Sequence, residues 1–179
     1  MKRKICIVTS TRADWGLLSG IAQALDKRED VELQIIATNM HLSEKHGNTW
    51  KEIERDGLKI DYRVTMPVQT DTATDTVVAM SECMKGMSQA FSRLQPHLLL
   101  ILGDRFEMLA VASAALIHRI PVAHMHGGEV TLGAFDESIR HSITKMSHLH
   151  FTSTEEARNR VIQLGENPDN VFCTGAIGV

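Results

Sequence analysis

The sequence predicts an α/β domain with a doubly wound, mostly parallel sheet, on three observations. Strand-like and helix-like segments alternate along nearly the whole of the 179 residues. The run Leu98–Leu102 is continuously apolar, as in a strand buried on both faces, and leads straight into Gly103, Asp104, Arg105 and Glu107. The same arrangement recurs one unit later, where IPVAHMHGGE ends an apolar segment in His124, His126 and Glu129. Open α/β folds place their ligands at the carboxyl ends of the strands. Two neighbouring tips that carry acid, base and cation therefore point to an enzyme site.

The elements follow in order. Lys4–Thr9 is the first strand, and the helix after it takes Asp14 as its cap before Trp15, Leu17, Leu18, Ile21 and Leu25. Val31–Thr38 is the second strand. A polar loop with His41 and His46 leads to a short helix around Asn48–Arg55, ended by Asp56-Gly57. Asp61–Met66 reads as a weaker, edge-like strand closed by Pro67. Thr72–Leu94 is a long helix with Pro96 past its end, and Met80, Met84, Met87 and Phe91 form one stripe along it. That methionine stripe is most simply core, the alternative being a soft dimer surface. After the Leu98–Leu102 strand come a helix at Phe106–His118, a strand at Pro121–His124 and a glycine-containing loop at 127–135. Asp136–Ser147 is a helix, His150–Ser153 a strand, and Glu155–Leu164 a helix capped by Thr154. A turn at Asn167–Asn170 precedes the last strand, Val171–Thr174. No repeat or low-complexity segment interrupts the βα units, and right-handed crossovers assemble them into the predicted sheet. The chain stops at Thr174–Val179 without a closing element, so a longer protein is expected.

Composition narrows the function. Charged residues at 23% and hydrophobic residues at 43% are ordinary for a soluble globular protein. A net charge of -3 without any Lys/Arg block argues against nucleic acid or an acidic membrane as partner. The apolar run in MKRKICIVTS is too short for a signal peptide, and no segment has the length to span a bilayer. Cys6 and Cys173 fall in strands and read as small buried hydrophobes, while Cys83 lies in a helix. Three widely spaced cysteines argue against a disulfide framework. A cytoplasmic protein is expected.

Several side-chain groups carry chemistry. The first strand–helix turn, Thr9-Ser10-Thr11-Arg12-Ala13-Asp14, lacks the glycines of a dinucleotide site, so NAD and FAD are not expected. Its hydroxyls and Arg12 suit an anionic group at a helix N-terminus, unless Arg12 simply pairs with Asp14 or another acid. Asp104 at a buried strand tip can be desolvated toward a useful pKa, with Arg105 to hold a phosphate or steady the acid, or Asp104 can cap the following helix. His124 and His126 would share one face of a strand and, with Glu129, Asp136 and Asp104, first suggest metal ligands. The further ligands at fixed spacing are missing, so no metal is expected. For His124, a satisfied, half-buried histidine is the simpler reading. Asp136, Arg140 and His141 lie within about a turn and a half of helix, where Asp136 can act as a cap.

Taken together, TSTRADWGLL, NMHLSEKHGNTW, LGDRFEMLA, HMHGGE and FDESIRHSITKMSHLHF resemble the UDP-N-acetylglucosamine 2-epimerase family, in particular its hydrolysing branch for sialic-acid-type sugars. The resemblance runs in order from about Lys4 to the last residue. It implies the N-terminal Rossmann-like domain of a GT-B type enzyme, residues 1–179, with the C-terminal nucleotide-binding domain absent from this chain. It also implies a UDP-sugar substrate, no cofactor, and a homo-oligomer, dimer or tetramer, at full length. The implied reaction releases UDP and N-acetylmannosamine, or a 2,4-diacetamido-6-deoxy analogue, and the 179-residue chain would be nearly inactive alone. The catalytic set implied is Asp104, Glu129, Asp136 and His126; Arg12, His41, Arg105, Arg140 and His141 would bind substrate. Many relatives read H-x-E-G-G-E where this chain has His124-Met125-His126-Gly127-Gly128-Glu129, so either His126 or Glu129 takes over proton transfer. The loop before Asp136 is slightly longer than in some relatives. A GT-B UDP-sugar glycosyltransferase and a non-catalytic sugar-nucleotide-binding module are the alternatives.

Overall fold

A computed structural model of the chain describes residues 2–67, 72–131 and 135–178. Seven strands form one sheet: β1 (Arg3–Thr9), β2 (Val31–Thr38), β3 (Tyr62–Val64), β4 (Leu98–Leu102), β5 (Val122–Met125), β6 (Leu149–Thr152) and β7 (Val171–Cys173). Their order is β3-β2-β1-β4-β5-β6-β7, and every neighbouring pair is parallel, so the mostly parallel sheet of the sequence reading is wholly parallel among the described residues. The helices are α1 (Arg12–Asp26), α2 (Trp50–Arg55), α3 (Ala73–Leu94), α4 (Phe106–Ile117), α5 (Asp136–Met146) and α6 (Glu155–Gln163). No helix among the described residues is long and apolar enough to cross a membrane.

Period-two alternation divides the core between the two faces of the sheet. In β1, Cys6 and Val8 join the layer packed under α3, α4 and α5, with Met87, Phe91, Met108, Val111 and Ile143. Ile7, between them in sequence, points the other way and packs with Trp15 and Leu18 of α1 and Ile53 of α2. Both layers are dense in fully buried aliphatic residues, each stabilising the fold by about 1.5–3 kcal/mol relative to exposure. The helix cover is unequal. Beside β4–β6, on the α1 face, an apolar hollow of about 420 Å³ is lined by Leu98, Leu100, Ala123, Met125, Leu149, Phe151 and Ile177.

Local signals explain the ends of the helices. The N-cap of α1 is Thr11, not Asp14: Thr11 Oγ1 accepts from the Asp14 N–H at 3.1 Å, and the Asp14 carboxylate reaches back to the Thr11 N–H at 3.1 Å. This is a capping box, in which the acid occupies the third helical position. Thr154 caps α6 as its sequence predicts, accepting from the Ala157 N–H at 3.1 Å.

Two burial expectations are corrected. Cys173 is exposed because β7 is an edge strand, and only Val171 of that strand turns inward. Of the methionine stripe, Met87 and Phe91 are core and Met80 packs against it, but Met84 is exposed, because the inward line of α3 passes through Cys83 at that turn. Residues 132–134, in the longer loop expected before Asp136, lie outside the described residues.

Candidate active site at the strand tips

The strand order reverses between β1 and β4, and a ligand crevice opens there at the carboxyl edge. A hollow of about 230 Å³ lies at this point, lined by Asp14, Leu17, Leu102, Gly103, Asp104, Arg105, His126, Glu129 and Arg140. Five of the nine site residues expected from sequence thus share one cavity: Asp104, Arg105, His126, Glu129 and Arg140. Its volume suits a single sugar ring better than a whole nucleotide sugar.

Gly103 makes the turn at the tip of β4. Its φ of 80° is a left-handed conformation open to glycine at little cost. The Gly103 N–H donates to the Met125 carbonyl at 3.0 Å, locking the turn to β5. Arg105, with extended backbone, takes the N-cap position of α4, and no side chain caps that helix, so the capping role considered for Asp104 is not what the structure shows. Asp104 instead forms an ion pair with Arg140 Nη2.

Arg140 holds the rim together. Its side chain is only 5% exposed, against 24% for Asp104. Nη1 donates to the Glu129 carbonyl at 2.8 Å and Nη2 to Thr131 Oγ1 at 2.8 Å. Burial pushes the Arg140 pKa down, yet an arginine stays cationic at any pH where proteins fold. Its hydrogen bonds run to protein groups on two segments, Asp104 after β4 and the 129–131 stretch after β5. Arg140, expected to bind substrate, lines the hollow and also orients Asp104.

At the tip of β5 the two histidines part company. His124 is fully buried, and its Nε2–H donates to the Gly103 carbonyl at 2.7 Å. Burial lowers its pKa from 6.5 to about 4, so it is neutral. His124 is hydrogen-bonded as expected, but it is fully buried and not half-buried. His126 lies beyond the strand with φ 62°, a left-handed conformation uncommon for a non-glycine residue. The shared strand face is therefore lost. His126 Nε2 accepts from the Ile177 N–H at 3.4 Å, and Nδ1 stands 3.4 Å from Glu129 Oε1. Ser153 Oγ donates to that same Glu129 oxygen at 2.7 Å. An imidazole and a carboxylate so paired can pass a proton between them and a ligand. Gly128, at φ 79°, lets the loop lie against α6, where an added Cβ would collide with the Ala157 carbonyl. Among the described residues, no three His, Cys, Asp or Glu side chains are gathered as a metal site requires.

The remaining expected residues stand apart from the hollow. The anion position at the start of α1 is filled by the chain itself: the Asp14 carboxylate accepts from the Ser10 N–H at 3.1 Å, from Ser10 Oγ at 2.7 Å and from the Thr11 N–H. Arg12 is exposed and pairs with Glu52 at 3.1 Å, not with Asp14. His41, expected to line the cleft, is fully buried beneath the rim. Its ring bridges Thr9 Oγ1 at 3.0 Å and Thr49 Oγ1 at 2.8 Å, and its backbone N–H donates to the Ser10 carbonyl at 3.1 Å. His41 thereby braces the first turn from below.

Asp136 is the first residue of α5, whose N-cap is Phe135, so Asp136 is not the cap. It does not line the hollow, but its charge reaches Arg105. The Arg105 pKa is raised: burial works to lower it and is outweighed by Glu107, with additions from Asp14 and Asp136. His141 lies one turn along, its Nε2 3.5 Å from Glu137 Oε1. Sequence reasoning missed the place of Asp14 in the hollow wall because it treated that residue only as a cap.

Three buried histidines make stability depend on pH. Burial lowers the pKa of His124 to about 4 and also lowers those of His41 and His150. The unfolded chain binds more protons than the fold below about pH 6.5. Unfolding free energy is therefore expected to fall as pH drops from 6.5 toward 4, and His124→Gln to flatten that slope. Urea titrations at intervals through this range measure it, and a slope unchanged by His124→Gln would contradict the account.

The fold and the hollow define a doubly wound α/β domain with an open cavity at its strand tips, ringed by acid, imidazole and guanidinium groups. A family profile described as UDP-N-acetylglucosamine 2-epimerase matches residues 23–179. The chain belongs to the UDP-N-acetylglucosamine 2-epimerase family. Among curated proteins it is 48% identical to the GDP/UDP-N,N'-diacetylbacillosamine 2-epimerase (hydrolyzing) of Campylobacter jejuni, over 98% of this chain and 46% of that protein. It is 43% identical to the polysialic acid biosynthesis protein P7 of Escherichia coli, over 98% of this chain and 45% of that one. With the UDP-N,N'-diacetylbacillosamine 2-epimerase (hydrolyzing) of Legionella pneumophila it shares 41%, over the whole chain and 47% of the relative. The chain thus spans about half the length of these relatives. Among solved structures, the UDP-GlcNAc 2-epimerase of Neisseria meningitidis bound to UDP-GlcNAc superposes with a TM-score of 0.84 at 20% identity, over 97% of this chain and 46% of that one.

Proposed function

We propose that residues 1–179 form the N-terminal domain of a two-domain, hydrolysing UDP-sugar 2-epimerase. The observation that carries this reading is the convergence of Asp104, held by Arg140, with the His126–Glu129 pair on one hollow at the strand-order switch. Two features of the relatives support it: the chain covers about half of each, and two of those more than 40% identical are named for UDP-N,N'-diacetylbacillosamine. The substrate we favour is accordingly a UDP-linked 2,4-diacetamido-6-deoxyhexose, with UDP-N-acetylglucosamine as the simpler candidate.

The chemistry asks for two proton-transfer groups. The proton on C2 of the sugar is weakly acidic, so it leaves most easily as the C1–O bond to UDP breaks. Elimination takes the C2 proton onto a base, moves its electron pair into a C1–C2 double bond and expels UDP. Water then adds its oxygen to C1, and C2 gains a proton from the opposite face, which inverts that centre. Asp104 and the His126–Glu129 pair are the groups we assign to these transfers, each contributing about 10²–10⁴-fold. Asp136 and the exposed Arg12 stand outside the hollow at the same rim, where they can meet the remainder of the substrate when a second domain closes over it. No cofactor is required by these steps.

We place the protein in the cytoplasm, where its three free thiols stay reduced. We also expect a homo-oligomer, since Val77, Val78 and Met84 leave apolar surface exposed on α3. The test of the function is UDP release by the complete protein, without any acceptor, from both candidate sugars. Inversion at C2 of the freed sugar, followed by NMR in D2O, is expected together with one deuterium at that carbon. UDP release that depends on an added acceptor would assign a glycosyltransferase instead.

A further inference from the structure

Glu107 places a carboxylate inside the core, at the base of the cleft wall. It stands in the first turn of α4 with its side chain fully buried, next to the core residue Met108. One oxygen, Oε1, accepts from Arg105 Nε at 2.6 Å and from Asn39 Nδ2 at 2.9 Å. The other, Oε2, is buried without a hydrogen-bond partner. A buried charge is costly, and replacing such a pair by packed apolar residues often leaves a protein as stable or more so. Retention of an acid here is therefore better explained by what it does to its partner.

That partner is poised for a ligand. Arg105 is 39% exposed and forms part of the wall of the 230 Å³ hollow. It also borders a second, larger hollow of about 800 Å³, lined with Asn39, Met40 and Phe135 among others. Among the described residues, the guanidinium's hydrogen bonds are the one from Nε to Glu107 and one from Nη2 to Met40 Sδ at 3.9 Å. A guanidinium is a planar fork, so fixing Nε fixes the direction of the terminal nitrogens. Asn39 secures the arrangement from the tip of β2, with its backbone in the left-handed region at φ 49°.

We propose that Glu107 is the positioning residue for Arg105, holding its terminal N–H groups toward the cleft to bind the diphosphate oxygens of the UDP-sugar. The proposal rests on the UDP-sugar reading above. The diphosphate is the formally anionic part of such a substrate, and paired N–H donors match two phosphate oxygens. Because Glu107 neutralises Arg105, the pair attracts anions little at long range, and its contribution is one of direction and short-range contact.

A double-mutant cycle on the complete protein tests this, read by calorimetric UDP affinity and by the division of effects between KM and kcat. Arg105→Ala is expected to weaken UDP binding by about 10–100-fold, the worth of a charged hydrogen bond. Glu107→Gln, equal in shape but without the charge, is expected to weaken it about tenfold. In the Arg105→Ala background, Glu107→Gln is expected to change UDP affinity by less than about twofold, because its effect passes through the arginine. Glu107→Asp, which keeps the charge but shortens the reach, should fall between wild type and Gln, and it replaces Glu107→Gln should that variant not fold. Wild-type UDP affinity in Glu107→Gln, or an equal loss with and without Arg105, would overturn the proposal. Wild-type protein that binds UDP but turns over neither sugar defeats the epimerase reading, while the binding cycle still judges Glu107. Absence of UDP binding in wild type defeats both.

Discussion

Asp104→Asn in the complete protein is expected to lower kcat/KM for UDP release by about 10²–10⁴-fold, the usual worth of a positioned proton-transfer group. The amide has the shape of the acid but is no useful base at neutral pH. Two further readouts separate this from a loss of structure. UDP affinity should stay within a few-fold of wild type, because Asp104 itself carries no charge complementary to a phosphate. The midpoint of thermal unfolding should drop modestly, since Arg140 loses its carboxylate partner yet keeps the Glu129 carbonyl and Thr131. An Asp104→Asn enzyme with near-normal turnover would remove Asp104 from the reaction and with it the mechanism proposed above.

Arg140→Met is expected to produce the largest loss of stability among substitutions at this rim, about 3 kcal/mol. Methionine keeps the apolar stem of the side chain, so the main cost comes from the polar groups left behind by the missing guanidinium. Asp104 is stranded without its counter-ion, and both the Glu129 carbonyl and Thr131 lose the donor that joins them to α5. The partial exposure of Asp104 keeps the figure at the lower end of what a broken buried pair costs. Combining Arg140→Met with Asp104→Asn should recover part of the loss, because the stranded charge is then absent. Urea denaturation of the four proteins in this cycle measures the coupling. A double variant less stable than the sum of the two single losses would contradict it. Arg140→Lys is not expected to rescue the site, since a single ammonium cannot reproduce the planar fork that reaches Asp104, Thr131 and the Glu129 carbonyl together.

Most of the fold was legible because the physics that forms it is local or periodic. An uninterrupted apolar run can only be a buried strand or a helix segment, and the short length of Leu98–Leu102 decided for the strand. The observed bounds of β2 and β4 coincide with the sequence reading, and most other elements shift by only a residue or two at each end. What pattern could not supply was direction. Strand alternation placed His124 and His126 on one face, and it failed because the chain leaves the strand at Met125 and turns through a left-handed His126. His41 sits in a polar loop and carries the same imidazole as any site residue. Only the tertiary approach of Thr9 and Thr49 shows that both its nitrogens are already engaged.

Charge partners were equally hidden. Asp104 and Arg140 are separated by 36 positions, and no spacing rule links an acid after one strand to a cation one turn into a later helix. The capping box at Thr11 and Asp14, by contrast, follows a short-range rule, and reading Thr11 before Asp14 would have found it. Glu107 was visible as a member of the run GDRFE, but that its carboxylate turns inward follows from helix phase and from Asn39 far away in sequence.

The strand order carries a consequence for how such a scaffold diversifies. The walls of the hollow are supplied by separate parts of the chain, the start of α1, the turn after β4, the turn after β5 and α5, while the sheet beneath is tied by its own strand ladders. Replacing a residue in one loop can therefore retune which ring substituents are admitted while the neighbouring loops keep their reactive groups, with no strand required to change register. New specificities on this frame should arise by piecemeal exchange at the periphery, and a laboratory library confined to those turns would sample them without risking collapse of the underlying architecture.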